Sequence, residues 1–168
     1  MFLQLPDIKP LLSENILSKF KHTFLIRDPE KSVKSFYRSI NKSNNKKLNF
    51  DRIGIEELRK LYDIIKNTIN EEILLIDADD LVENPEKILR KYCENVNIKF
   101  RKEMLIWKPQ KMDIWKNNYL WHKNAMESTK FELKFDNNEI IEYPQSVYNT
   151  ILFEKPHYDY LYQYKTKF

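Results

Sequence analysis

The chain has 168 residues, of which 42% are apolar and 14% aromatic, enough for one globular domain with a sizeable core. Lys and Arg number 29 against 25 Asp and Glu, so the net charge of +4 is too small and too dispersed to indicate nucleic-acid binding, although it suits an anionic small ligand. There is no transmembrane run and no signal-peptide pattern, and the single cysteine, Cys93, excludes an intrachain disulfide and favours a reducing, cytoplasmic compartment.

The first strong structural signal is a strand that leads directly into a helix. Thr23 to Ile26 is a short apolar run, the pattern of a strand buried on both faces in a parallel sheet. Asp28, Pro29 and Glu30 then supply an N-cap, a first helical residue and an acid in the first turn, so a helix is predicted to begin there. Its apolar residues recur at helical spacing and predict one stripe packed against the sheet: Val33, Phe36, Tyr37 and Ile40.

This arrangement predicts a phosphate site at the carboxyl end of the strand. Open α/β folds bind ligands at that edge, where the free N–H groups of a helix start favour anions. Arg27 would stand there with a planar, permanently charged fork, and Ser35, eight residues later, would place a hydroxyl about two helical turns along. The alternative is that Arg27 pairs with a carboxylate of the chain and that Ser35 is simply a solvated helix residue.

A second buried strand is predicted over Ile73 to Ile76, and it ends abruptly in an acidic segment. Asp77, Asp79 and Asp80 invite a metal-site interpretation, but no glycine turn or downstream Glu at a calcium-loop spacing accompanies them. No metal is therefore predicted. Asn84 and Pro85 are a suitable cap and first residue for a further helix.

These motifs resemble the sulfotransferases that use 3'-phosphoadenosine 5'-phosphosulfate as donor. Their second nucleotide-binding motif is a strand, an Arg, a helix start often written R-D/N-P, and a Ser eight residues after the Arg followed by an aromatic pair. The matching positions here are Arg27, Asp28, Pro29, Ser35, Phe36 and Tyr37. A second segment of the family, D/E-D-L followed by N/D-P-E, matches Asp79, Asp80, Leu81, Asn84, Pro85 and Glu86. The resemblance implies that Arg27 and Ser35 bind the 3'-phosphate of the nucleotide.

The resemblance also implies the fold: an α/β domain of the P-loop nucleotide-kinase-like (sulfotransferase) type, with a parallel sheet, flanking helices and a helix-rich C-terminal half. We expect residues 1–168 to form a single domain truncated at its N-terminal side, since the family's first strand and glycine-rich phosphate loop have no counterpart here. Gly54 is the sole glycine and lies between two helical patterns. A complementing N-terminal segment, on the same or another chain, is therefore expected.

Two further candidate residues come from the second half of the chain. In the family, a loop after a Trp carries charge to the 3'-phosphate; here that loop reads Lys108, Pro109, Gln110, Lys111, so Lys108 or Lys111 is a candidate point charge, although an exposed lysine is the commoner case. His122 is the best general-base candidate for the acceptor. It also shares a helical stripe with Trp115, Tyr119 and Met126, where a histidine is usually a packing residue.

The implied activity is transfer of a sulfuryl group from 3'-phosphoadenosine 5'-phosphosulfate (PAPS) to a hydroxyl or amine of a small-molecule or carbohydrate acceptor, leaving adenosine 3',5'-bisphosphate (PAP). Two alternatives stay open. In the first, the chain is a catalytically inactive remnant that keeps the 3'-phosphate site. In the second, it is an unrelated α/β interaction domain, and R-D-P is only a favourable sequence for starting a helix.

Overall fold

The computed structural model describes residues 12–42, 53–70, 72–132 and 142–168. Within these ranges the chain is a helix-rich α/β structure with a small parallel sheet. The strands are β1 (Thr23–Ile26) and β2 (Leu74–Asp77). The α-helices are α1 (Glu14–Leu17), α2 (Pro29–Lys42), α3 (Ile55–Thr68), α4 (Ala78–Glu83), α5 (Pro85–Asn95), α6 (Tyr119–Glu127) and α7 (Gln145–Gln163), with 3-10 turns at Lys102–Met104 and Asp113–Asn118. None of the described helices is long and apolar enough to cross a bilayer.

The two strands pair in parallel, in a register that runs from Thr23 opposite Leu74 to Ile26 opposite Asp77. The predicted bounds of β1 are confirmed, and those of β2 are displaced by one residue because Asp77 still belongs to the ladder. The free edge of β2 is occupied by the C-terminal segment. Thr166 N–H donates to the Leu75 carbonyl (2.8 Å), and the Thr166 hydroxyl accepts from the Leu75 N–H (3.1 Å).

Burial of the strands corrects one expectation. All four residues of β2 are buried, but in β1 only Phe24 and Ile26 are, whereas Thr23 and Leu25 are exposed. Successive side chains of a strand point to opposite faces, so β1 is covered on one face only. The prediction that β1 is buried on both faces is therefore wrong.

The core consists of two clusters on the two faces of β2. The larger cluster joins the covered face of the sheet to α3 and α7: Leu17, Phe24, Ile26, Ile55, Tyr62, Ile65, Ile69, Leu75, Tyr158 and Leu161. The smaller cluster joins Leu74 and Ile76 to Ile88 of α5. Cys93, also on α5, is 2% exposed and packs as a small apolar side chain.

Helix α2 begins at Pro29, as predicted, but its main packing partner is α7 rather than the sheet. Val33 and Ile40 are buried, while Phe36 and Tyr37 are half-buried. The apolar stripe was therefore identified correctly and its partner was not. The C-terminal helix takes the place assigned to the sheet and holds α2 beside the carboxyl end of β1.

Candidate anion-binding site

The carboxyl ends of the two strands meet at one edge of the sheet. Because Ile26 pairs with Asp77, the residues that follow each strand, Arg27 and Ala78, start from adjacent positions. From there the chain enters α2 on one side and α4 on the other. We refer to Arg27, Asp28, Asp77, Asp79 and Asp80 as the carboxyl edge.

Two carboxylates of the carboxyl edge cap the helices that begin there. Asp28 accepts the Glu30 N–H of α2 (2.7 Å) and an ion pair from Lys155 of α7 (3.2 Å). Asp77, only 2% exposed, accepts the N–H groups of Asp79 and Asp80 (2.9 and 3.3 Å) at the start of α4. Each helix start thus has its own local anion, which satisfies N–H groups that would otherwise lack a partner.

Asp77 also receives the hydroxyl of Tyr158 of α7 at 2.9 Å. Burial, together with this hydrogen bond and the nearby negative charge, raises the pKa of Tyr158 far above its ordinary value. The phenol therefore stays protonated and donates to Asp77 throughout the ordinary pH range. The bond ties α7 to the end of β2.

The other two carboxylates are paired with lysines. Asp79 accepts from Lys31 of α2 (2.9 Å) and Asp80 from Lys165 (2.6 Å). The three aspartates that suggested a metal site thus have separate partners on different elements. In the part of the chain that the structure describes, no group of three His, Cys, Asp or Glu side chains is arranged to hold a metal ion.

Arg27 differs from every other charged group of the carboxyl edge. Its side chain is exposed, and among the described residues no hydrogen bond or ion pair reaches it. The hydrogen bond to Asp79 raises the pKa of Lys31, which lies four residues after Arg27 in the first turn of α2, and the positive charge of Arg27 acts in the opposite direction. The carboxylates are therefore occupied, while a guanidinium beside them is available to an external anion.

Ser35 lies on α2, six residues after Pro29, which is about 9 Å along the helix axis. It is half-buried, and the described residues offer its hydroxyl no hydrogen-bond partner, although its carbonyl accepts from the Ser39 hydroxyl (3.0 Å). No described hydrogen bond joins Ser35 to Arg27. Both polar groups thus lack a partner among the described residues, and the first two turns of α2 separate them.

Lys111 is exposed. It lies in the connection between Ile106, which forms an isolated antiparallel bridge with Lys130, and the 3-10 turn at Asp113–Asn118. The N–H of its neighbour Gln110 donates to the Met126 carbonyl at the end of α6 (3.0 Å). Helix α6 also contacts α2. No described contact links Lys111 itself to Arg27 or Ser35.

His122 is half-buried on α6, and its ring is stacked on Trp115, with the centroids 4.4 Å apart and the planes 17° from parallel. Met126, one turn later, is buried. This is the environment of the packing alternative. No described hydrogen bond connects His122 to the carboxyl edge, and its role as a general base stays a prediction.

The family model described as a sulfotransferase domain matches residues 10–136, well over half of the chain. The chain belongs to the sulfotransferase domain family. The match includes Arg27, Ser35, Lys111 and His122, and it ends before α7.

Two curated proteins of Arabidopsis thaliana are also similar to this sulfotransferase-domain chain. Branched-chain-amino-acid aminotransferase-like protein 1 is 33% identical over 123 residues, which are 71% of this chain and 20% of that protein. Branched-chain-amino-acid aminotransferase-like protein 2 is 31% identical over 155 residues, which are 90% of this chain and 24% of that protein. The chain thus spans between a fifth and a quarter of these relatives. No solved structure matches it significantly.

The main feature that sequence reasoning missed is the contribution of α7 to the carboxyl edge. Lys155 and Tyr158 reach Asp28 and Asp77 from more than eighty positions away in the chain. The end of the sequence is rich in tyrosines, a composition that is typical of aromatic packing at the edge of a domain. A hydroxyl among these aromatics was compatible with a buried polar contact, but nothing in the local pattern identified its partner.

Proposed function

We propose that this sulfotransferase-domain chain binds the 3'-phosphate of PAPS and of its product PAP through Arg27 and Ser35. The observation that carries the proposal is that the guanidinium of Arg27 has no partner among the described residues, whereas each carboxylate of the carboxyl edge has one. A planar fork with several N–H donors fits a phosphate well, and a serine hydroxyl without a partner adds a further donor. The residues present therefore suit the anion that the family resemblance implies.

The proposed reaction is in-line transfer of the sulfuryl group to a hydroxyl or amine of an acceptor. PAPS supplies the activated sulfuryl group. Arg27 and Ser35 would hold the nucleotide at its 3'-phosphate, away from the reacting sulfur, so their contribution is to fix the position of the donor. Lys111 as a further phosphate contact and His122 as the base belong to the same proposal and await a test of each residue.

The proposed architecture is a P-loop nucleotide-kinase-like domain that occupies residues 1–168, with the phosphate loop supplied by an additional N-terminal segment. The outer edge of β1 supports this part, because no residue in the described ranges pairs with it. In the parallel ladder the Leu74 N–H donates to the His22 carbonyl, so the backbone groups of Thr23 and Leu25 point away from β2. A further strand has room to pair there. We propose a cytoplasmic location only because the single cysteine, Cys93, cannot form an intrachain disulfide, which favours a reducing compartment.

The aminotransferase wording in the names of the relatives does not change this proposal. The sulfotransferase family match covers most of this chain, whereas the chain represents no more than 24% of either relative. The shared segment is thus a small part of those proteins, and the activity named for a whole protein need not reside in it.

Calorimetric titration with adenosine 3',5'-bisphosphate, with 5'-AMP as the control ligand, tests the nucleotide site. We expect the bisphosphate to bind at least tenfold more tightly than 5'-AMP, because a charge-assisted bond to the extra phosphate contributes about 1.5–3 kcal/mol. Arg27→Ala should abolish the difference. Arg101→Ala removes another exposed arginine whose side chain has no described partner, and it should leave the difference intact. Equal affinities for the two ligands would contradict the proposal.

Transfer of labelled sulfate from PAPS separates the enzyme from the inactive alternative. The resemblance predicts transfer when an N-terminal segment with a phosphate loop is present. Binding of the bisphosphate without transfer under that condition would favour a nucleotide-binding remnant.

A further inference from the structure

Of the three lysines that pair with aspartates of the carboxyl edge, Lys31 is held by the fewest described contacts. Its ammonium lies 2.9 Å from Asp79 Oδ2, its only described hydrogen-bond partner, and its side chain is 54% exposed. Lys155, in contrast, contacts both Asp28 and Asp159, and Lys165 contacts both Asp80 and the Tyr162 hydroxyl. An exposed single bridge is weak and exchanges readily with other anions.

Lys31 also follows closely in the chain on Arg27, whose side chain has no hydrogen-bond or ion-pair partner among the described residues. It occupies the first turn of α2, four residues after Arg27, and the charge of Arg27 opposes protonation of its ammonium. Among the described residues, Lys31 pairs with the carboxylate of Asp79, and Arg27 pairs with none. A phosphate that carries close to two negative charges can satisfy both cations, which a lone carboxylate does not do here.

We propose that Lys31 is a second ligand of the phosphate that Arg27 binds, and that it leaves Asp79 when the nucleotide arrives. The proposal rests on the 3'-phosphate site described above and deepens it. Asp79 acts as the partner that holds Lys31 in place while no phosphate is bound, so binding exchanges one ion pair for another rather than creating both contacts from free side chains.

The first test is the affinity of Lys31→Met for adenosine 3',5'-bisphosphate, measured by calorimetry near physiological salt. We expect an affinity about tenfold lower than that of the unaltered chain, the effect of one charge-assisted bond, with the affinity for 5'-AMP unchanged. Lys34→Met is the matched control. Lys34 lies on the same helix and also forms a salt bridge with an exposed carboxylate, that of Glu30. Its substitution therefore removes one positive charge from α2 without removing the proposed ligand. Its affinity should stay within about twofold.

Asp79→Asn tests the exchange itself. The variant frees Lys31, so we expect the affinity for the bisphosphate to rise about two- to fivefold, the size of an exposed ion pair. Removal of a negative charge near the ligand could produce the same rise without Lys31. The double variant with Lys31→Met distinguishes the two causes, because release of Lys31 predicts that most of the gain disappears in that background.

The results separate this proposal from the one on which it rests. Failure of the unaltered chain to prefer the bisphosphate over 5'-AMP would overturn the 3'-phosphate site and the role of Lys31 with it. Preference for the bisphosphate together with an unchanged affinity in Lys31→Met would overturn the role of Lys31 alone. An equal gain from Asp79→Asn with and without Lys31 would overturn the exchange. Thermal unfolding of each variant checks that the fold is intact.

Discussion

Two helix starts in this protein use the same chemistry for different ends. At the start of α3, the buried carboxylate of Glu154 from α7 accepts three backbone N–H groups, those of Ile53 (2.9 Å), Gly54 (3.1 Å) and Glu56 (3.1 Å). At the start of α2, the half-exposed Asp28 accepts the one N–H of Glu30, and the preceding residue, Arg27, has an exposed side chain without a partner in the described ranges. An anion from the chain closes the first site, whereas the second still presents positive charge to solvent.

The two helix starts differ in what their interactions stabilise: at α3 the folded state, and at α2 a bound ligand. Glu154 is completely buried, so its interaction with the α3 start is used in folding and cannot be exchanged for a ligand. The surroundings of Arg27 are exposed, so little free energy of folding depends on that side chain. Substitutions should therefore separate the two sites cleanly, with stability affected at one and ligand affinity at the other.

The largest expected effect follows from Glu154→Gln. The amide keeps one acceptor oxygen but places an NH₂ group against a backbone N–H, which leaves buried donors without an acceptor. We expect a loss of about 2–4 kcal/mol in the free energy of unfolding, measured by urea denaturation. Glu103→Gln, on an exposed glutamate, is the control and should change stability by less than about 0.5 kcal/mol. A small effect of Glu154→Gln would contradict the closed site at α3.

An intermediate effect is expected from Tyr158→Phe, which removes the hydrogen bond to the buried Asp77. The cost should be about 1–2 kcal/mol in chemical denaturation, because the carboxylate loses a donor without gaining water. Tyr148→Phe, on an exposed tyrosine of the same helix, should be nearly neutral. An effect no larger than that of the control would show that the bond does not hold α7 to β2.

The raised pKa of Tyr158 adds a dependence on pH. In the unfolded chain the phenol ionises near pH 10, whereas in the folded chain it holds its proton to higher pH. The contribution to stability is therefore complete below about pH 10 and is lost as the pH rises above that value. The melting temperature should fall above pH 10, and part of this fall should be absent in Tyr158→Phe.

The smallest expected effect on stability is that of Asp28→Asn, which tests the α2 start through its affinity for the ligand. Asparagine is an equally good N-cap, and Lys155 keeps its contact with Asp159, so stability should change by less than about 0.5 kcal/mol. Removal of a negative charge next to Arg27 should raise the affinity for the bisphosphate about two- to fivefold in calorimetry. A fall in affinity would mean that Asp28 itself contacts the ligand.

The features that could be predicted from the sequence are those encoded locally. The apolar run from Thr23 to Ile26 and the caps Asp28 and Pro29 defined β1 and the start of α2, since a strand ending in an N-cap leaves the chain few alternatives. The helical pattern that follows Gly54 likewise corresponds to α3, which ends at Thr68. The position of Arg27 directly after a strand predicts an exposed charge at the sheet edge, and its side chain is exposed with no partner in the part of the chain that the structure describes.

The features that could not be predicted depend on contacts between distant segments. Glu154 is about a hundred positions from the helix start that it caps, and a glutamate within a helical pattern is normally a solvated residue. The exposed face of β1 was missed for a similar reason, because four apolar residues in a row do not reveal how many faces the helices cover. The preference of α2 for α7 over the sheet is a third case.

The most direct test of the central claim is a thermodynamic cycle that combines Arg27→Ala with removal of the 3'-phosphate from the ligand. Affinities of both chains for adenosine 3',5'-bisphosphate and for 5'-AMP give the coupling between the arginine and that phosphate. We predict a coupling of at least tenfold, with 5'-AMP bound equally by both chains. Equal losses for both ligands, or no loss for either, would show that Arg27 does not bind the 3'-phosphate.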